Sequence, residues 1–199
     1  VVDALRRRVE HPIYGYTATP DELWTSIQRW ILDHHQWQVE REWLTYVPGV
    51  VKGIGMAINA LLKPDERVII QPPVYHPFRI VPTEMGHKVL YNPLIPVYED
   101  GPGHIDYMHT LDADRRLTGY EMDLDKLDEQ LSDPKVRMLV LCNPQNPSGL
   151  CWDCKTLDCV AMLAVKHNVI VVSDEIHAEM ALPGHRHTPF ASVSDAAAS

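Results

Sequence analysis

The sequence predicts a three-layer α/β domain, with helices on both faces of a mainly parallel sheet. Two observations carry that expectation. The runs Val68-Ile69-Ile70, Met138 to Cys142 and Val169 to Val172 are short and continuously apolar, without the alternation of a half-solvated strand. Strands of that kind are buried on both faces. Between them lie longer segments whose apolar residues recur at helical spacing. Strands alternating with such helices indicate a parallel sheet joined by crossover helices.

The elements follow in order. Val1 to Val9 reads as the end of a helix, and His11-Pro12-Ile13-Tyr14-Gly15-Tyr16 as a turn-rich loop. Thr19 is placed to cap the next helix, with Pro20 at its first position and Glu22 completing a capping box. Leu23, Ile27, Trp30 and Ile31 then carry that helix to about His35. Leu44 to Val47 is a short strand candidate, followed after Pro48-Gly49 by a helix from Val50 to Leu62. Arg67 to Gln71 is a strand broken by Pro72-Pro73, Tyr75 to Glu84 a helix, and Lys88 to Tyr91 a strand. Asn92 to Gly119, rich in Pro, Gly, His and Asp, reads as a surface excursion in which Asp112 to Arg116 is solvated. A helix at Leu124 to Leu131, a strand at Met138 to Cys142, a helix at Leu157 to His167 and a strand at Val169 to Ser173 complete the pattern. No repeat or low-complexity tract interrupts it, so residues 1–199 are expected to be one large domain, in part.

Composition narrows the function. The net charge of −9 disfavours nucleic-acid or anionic-membrane binding, which needs a positive field. It leaves room for an anionic cofactor held by local backbone N–H groups. No apolar run reaches the roughly 20 residues that span a bilayer. Nor do the first ten residues resemble a signal peptide, which makes a cytoplasmic protein the default. Four cysteines are too few for a disulfide scaffold at this length.

In parallel sheets, ligands bind at the carboxyl ends of the strands. Four loops at such ends hold unusual residues. Val47-Pro48-Gly49-Val50-Val51 puts a glycine before a helix start, which suits a phosphate or is an ordinary strand–helix turn. In Gln71-Pro72-Pro73-Val74-Tyr75 the tyrosine could stack on a flat ring or simply pack. Cys142-Asn143-Pro144-Gln145-Asn146-Pro147-Ser148-Gly149 is a rigid turn whose Asn side chains could serve a ligand or the turn itself. In Ser173-Asp174-Glu175-Ile176-His177, an Asp at the end of a buried strand needs a cation or strong donor. A metal held by Asp174 and His177 with His185 or His187 is an alternative, although no zinc-type motif is present.

The Asn143 to Gly149 and Ser173 to His177 segments resemble the fold-type-I aminotransferase superfamily. More narrowly they are similar to its cystathionine β-lyase (MalY/PatB) branch, as are Tyr14-Gly15-Tyr16-Thr17, Tyr46 to Val51 and Pro72-Pro73-Val74-Tyr75, in the same order. The resemblance implies the large domain of a pyridoxal 5'-phosphate (PLP) transferase fold. It implies that Asp174 pairs with the pyridine nitrogen, that Asn146 donates to the phenolic oxygen and that His177 lies near that oxygen. Gly49, Val50 and Val51 would give backbone N–H groups to the phosphate, and Tyr75 would stack on the ring. Tyr16 would reach the cofactor of a neighbouring subunit, so a homodimer with shared sites is implied. The implied reaction is β-elimination of a thiol from cystathionine or a related cysteine conjugate, giving pyruvate and ammonia. Transamination of an amino acid on the same scaffold is the alternative, and a noncatalytic cofactor- or partner-binding module is a reading of another class.

Two departures qualify the resemblance. No lysine follows Lys166, while Lys52, Lys155 and Lys166 sit in the wrong contexts for the family's Schiff-base lysine. That lysine, an N-terminal arm and a small C-terminal domain are therefore expected outside these residues, in a longer parent chain. Cys151-Trp152-Asp153-Cys154 is a CxxC without a second pair for zinc, so it is a thiol site of lowered pKa or an incidental pair. The excursion from Asp100 to Tyr120, with His104 and His109, reads as surface decoration or as a border of the active site.

Overall fold

A computed structural model describes residues 1–16, 18–103 and 115–198. The chain divides into two compact units, Val1–Leu44 and Thr45–Ser199.

The first unit holds α1 (Val2–Glu10), α2 (Asp21–His35) and a 3-10 turn at Arg41–Trp43. The capping box does not form: Pro20, extended at φ −71°, is itself the residue before α2, and no side chain caps the helix. Thr19 thus lies one position too early. Gln28 Nε2 donates to the Val39 carbonyl at 2.8 Å, and the Arg41 guanidinium sits 4.0 Å from the centre of the Trp24 ring. These contacts fold the segment after α2 back along it.

The second unit contains α3 (Val50–Leu61), β1 (Arg67–Ile70), α4 (Pro77–Glu84), β2 (Lys88–Tyr91), β3 (Ile95–Tyr98) and β4 (Gly101–Pro102). It continues with β5 (Leu117–Glu121), α5 (Leu124–Leu131), β6 (Val136–Cys142), α6 (Cys154–His167), β7 (Ile170–Asp174) and α7 (Asp195–Ala198). The main sheet has the order β2-β1-β6-β7 and is parallel throughout.

Its strands are apolar at successive positions because successive side chains enter opposite layers. Val68, Ile70, Met138 and Val140 join Ile54 and Ile58 of α3 and Phe78 of α4 on one face. Ile69, Leu139 and Leu141 join Leu127 and Leu131 of α5 and Leu157, Val160 and Ala161 of α6 on the other. Each fully buried Ile, Leu or Phe contributes about 1.5–3 kcal/mol, so both helix layers are held by the sheet. The three-layer α/β/α architecture is therefore present. Asp123 caps α5 by accepting from Lys126 N at 2.9 Å, and Asp153 caps α6 by accepting from Thr156 N at 2.8 Å.

The sequence expectations fail at two further places. Leu44 to Val47 is not a strand; among the described residues the sheet's edges are β2 and β7, and nothing pairs with this segment. The stretch from Asn92 is not a mere surface excursion either, because β3, β4 and β5 form an antiparallel sheet of order β4-β3-β5. Leu94 and Tyr98 are buried beneath it. Residues 104–114, including His104, His109 and Asp112, lie outside the described residues. Arg115 and Arg116 pair with Asp100 and Glu99 across the β3–β5 ladder, and the Arg115 hydrogen bond holds the Asp100 carboxyl below its usual range.

Candidate active site

The carboxyl ends of β1, β6 and β7 converge with the start of α3. Parallel strands end on the same edge, so the loops after β1, β6 and β7 share it. A cleft of about 370 Å³ lies there, lined by Val50, Val51, Tyr75, Asn146, Asp174 and His177, with Cys142 and Ile176.

Asp174 is the last residue of β7 and only 8% exposed. Its Oδ1 accepts from Ile176 N at 3.1 Å, and it has no ion pair among the described residues. Burial pushes its carboxyl above the ordinary range; the Ile176 N–H and the nearby His177 offset this only in part, and Glu175 adds to it. Beside it in the ladder stands Cys142, whose thiol burial pushes up to about 11.

The two asparagines of the Asn-Pro turn part company. Asn143 is fully buried and structural: Nδ2 donates to the Thr188 carbonyl at 2.9 Å, and Oδ1 faces Trp152 N at 3.4 Å. Asn146 is half-buried at the cleft, and its side-chain amide has no hydrogen-bond partner among the described residues. Its backbone N–H is held instead, 3.3 Å from Cys142 Sγ.

Gly49 precedes α3 with φ +111°, a conformation that L side chains rarely adopt, and no side chain caps the helix. The first N–H groups of α3, from Val50 and Val51, therefore open toward the cleft with the positive end of the helix dipole behind them. Gly49 itself is not among the lining residues. Tyr75 stands half-exposed with its ring edge-on to His76 and Phe78, at centroid distances of 5.0 and 6.4 Å. His177 follows β7 on the opening turn of a 3-10 helix. Six of the eight residues singled out by sequence thus share one cleft. Tyr16 belongs to the N-terminal unit and is exposed, and Thr17 lies outside the described residues.

Sequence reasoning overlooked two supporting residues. Glu175 receives Ser173 Oγ at 2.8 Å and Phe190 N at 2.7 Å on one oxygen and pairs with His187 Nε2 at 2.9 Å through the other. This ties the end of β7 to residues 187–190 and gives His187 a structural partner in place of a metal. Gln145 bonds the Asn-Pro turn to the Pro72-Pro73 turn. Their sequence context, among other polar residues of the two strand-end motifs, does not single them out.

Among the described residues no group of three His, Cys, Asp or Glu could hold a metal. The lowered thiol pKa entertained for the CxxC fails at Cys151, which burial raises. Cys154 is exposed at the start of α6, 3.6 Å from Thr188 Oγ1, and all four cysteines are free. No lysine lines the cleft, and Lys166 is engaged with Asp128 at 2.8 Å.

With this geometry in place, the profile of the aminotransferase class I and II family matches residues 6–198. The chain belongs to that family. It is 39% identical over 195 residues to cystathionine β-lyase PatB of Bacillus subtilis, covering 98% of this chain and 46% of that protein. Over the same length it is 27% identical to protein MalY of Escherichia coli, covering 98% of this chain and 45% of MalY. Among solved structures, cystalysin of Treponema denticola, which contains a pyridoxal 5'-phosphate cofactor, superposes with a TM-score of 0.84 at 27% identity, covering 99% of this chain and 45% of cystalysin. The chain spans about half the length of the relatives it matches.

Proposed function

We propose that this chain is the cofactor-binding part of a PLP-dependent C–S β-lyase acting on cystathionine or a related cysteine conjugate. The observation that carries the reading is Asp174: a buried carboxylate at a cleft which, like the Asn146 amide beside it, has no cation or side-chain partner among the described residues. Keeping such a group buried is costly unless something else supplies the charge. A protonated pyridine ring would do so.

The residues present fit PLP. Asp174 would hold the ring nitrogen protonated, and Asn146 would donate to the phenolic oxygen with His177 nearby. The Val50 and Val51 N–H groups would bind the phosphate at the helix start, with Gly49 shaping the turn, while Tyr75 would cover the ring. When bound, PLP supplies an electron sink for the carbanion formed at the substrate's Cα. Asp174 would keep that sink effective by holding a proton on the ring nitrogen. Tyr75 and the Asn146 turn would bound the ring on two sides and so help orient the substrate for reaction. Tyr16, exposed on the N-terminal unit, is proposed to serve the site of a second copy, which makes the enzyme a homodimer.

The decisive test gives the full-length protein L-cystathionine without a keto-acid acceptor and measures pyruvate. Steady release is expected. Transamination alone, with pyruvate release absent, would move the assignment to an aminotransferase. No PLP binding at all would favour a noncatalytic module.

A further inference from the structure

The polar side chain of Gln145 is 3% exposed, at a position where an apolar residue would fill the space without needing partners. Its bonds close one turn of the cleft and tie that turn to a second loop. Its Nε2 donates to the Pro73 carbonyl, and its Oε1 accepts from Ser148 N at 2.9 Å and from Ser148 Oγ. Its backbone closes the turn: Gln145 N donates to the Leu150 carbonyl at 2.7 Å, and Gly149 N donates to the Gln145 carbonyl at 2.7 Å. Asn146 is the next residue, and Tyr75 lies two beyond Pro73. Among the described residues the Asn146 amide has no hydrogen-bond partner, so its placement depends on how the backbone around it is held. Cys142 Sγ holds that backbone from beneath, and Gln145 holds it from the side of the Tyr75 loop.

We infer that Gln145 is a positioning residue that sets the Asn146 amide against the Tyr75 ring, and so fixes the orientation of the ring bound between them. The inference rests on the PLP reading above. Losing the bond to Pro73 frees one loop to shift relative to the other, and a shift of a fraction of an ångström is enough to misalign a planar ligand. The polar residue is retained because it links two loops that no backbone ladder connects.

The test uses the full-length protein and two substitutions. Gln145→Met fills the volume without a donor or acceptor, and Gln145→Glu keeps the acceptor toward Ser148 while losing the amide donor to Pro73. PLP dissociation constants, the visible circular dichroism of the bound cofactor and the melting temperature of the apoprotein are read side by side. PLP affinity is expected to fall roughly tenfold in each variant, the scale of one broken buried hydrogen bond. The cofactor's circular dichroism should change as well, because it reports ring orientation. Wild-type affinity and spectrum in both variants would overturn the inference. So would an affinity loss that only tracks a lower melting temperature with the spectrum unchanged. A wild-type protein that fails to bind PLP would instead overturn the cofactor reading, and this inference with it.

Discussion

At the scale of single residues, Asp174 works against the apoprotein, and on the proposed reading it serves the holoenzyme. Burial raises its carboxyl above the ordinary value. The folded state therefore binds a proton more tightly than the unfolded state does, and stability is lost as pH rises from the unfolded pKa through the folded one. Asp174→Asn removes that loss. The variant apoprotein should melt higher than wild type at pH 7 and equally at a pH below the ordinary carboxylate range, as thermal scans would read. The same substitution should lower kcat/KM on the order of 100-fold or more, because breaking a buried charge pair costs about 2–5 kcal/mol. Steady-state kinetics on the full-length protein checks it; undiminished turnover would remove Asp174 from the site. The neighbouring Glu175 has a different duty, since its three partners belong to Ser173, His187 and Phe190 rather than to the cleft.

At the scale of elements, the start of α3 and the start of α6 make opposite use of their first turns. Asp153 closes α6, and Asp153→Ala should cost about 1 kcal/mol, a fall in Tm of about 2–4 °C with PLP affinity unchanged. The start of α3 is left open by Gly49. A Cβ there would meet nothing within 4 Å, so the cost of Gly49→Ala comes from φ +111° alone, about 1–3 kcal/mol. Titration with PLP should show weaker binding, since the strained turn carries the Val50 and Val51 amides. Such elements were legible because their signals are local: apolar runs marked β1, β6 and β7, and helical spacing marked α2, α3, α5 and α6. The β4-β3-β5 sheet was not, because Pro96 sits inside one strand and Gly119 inside another, and their pairing joins positions distant in sequence. Leu44 to Val47 misled for the converse reason: a strand needs a neighbour, which no local pattern supplies. The lining residues were legible from motifs at strand ends. Gln145 and Glu175 were not, because their importance lies in partners distant in sequence.

At the scale of the whole molecule, two apolar layers fix a four-stranded sheet, and its one carboxyl edge gathers residues from 50 to 177 into a single cleft. That edge gathers a buried carboxylate, an amide, a tyrosine and a helix start, the groups proposed to hold PLP, and among the described residues no lysine lines it. Lys52 lies in the first turn of α3 without lining the cleft, and Lys155 and Lys166 belong to α6 on the far layer. On the proposed PLP reading, a covalent anchor would not come from the residues that line this cleft. Borohydride reduction of the full-length holoenzyme, followed by peptide mapping, should place the cofactor on a lysine not numbered between 1 and 199. Label on Lys52 would mean that α3 reorganises on binding and that the open helix start does not hold the phosphate. Label on Lys155 or Lys166 would move the site off the strand edge altogether, against the convergence of Asp174, Asn146 and Tyr75 there.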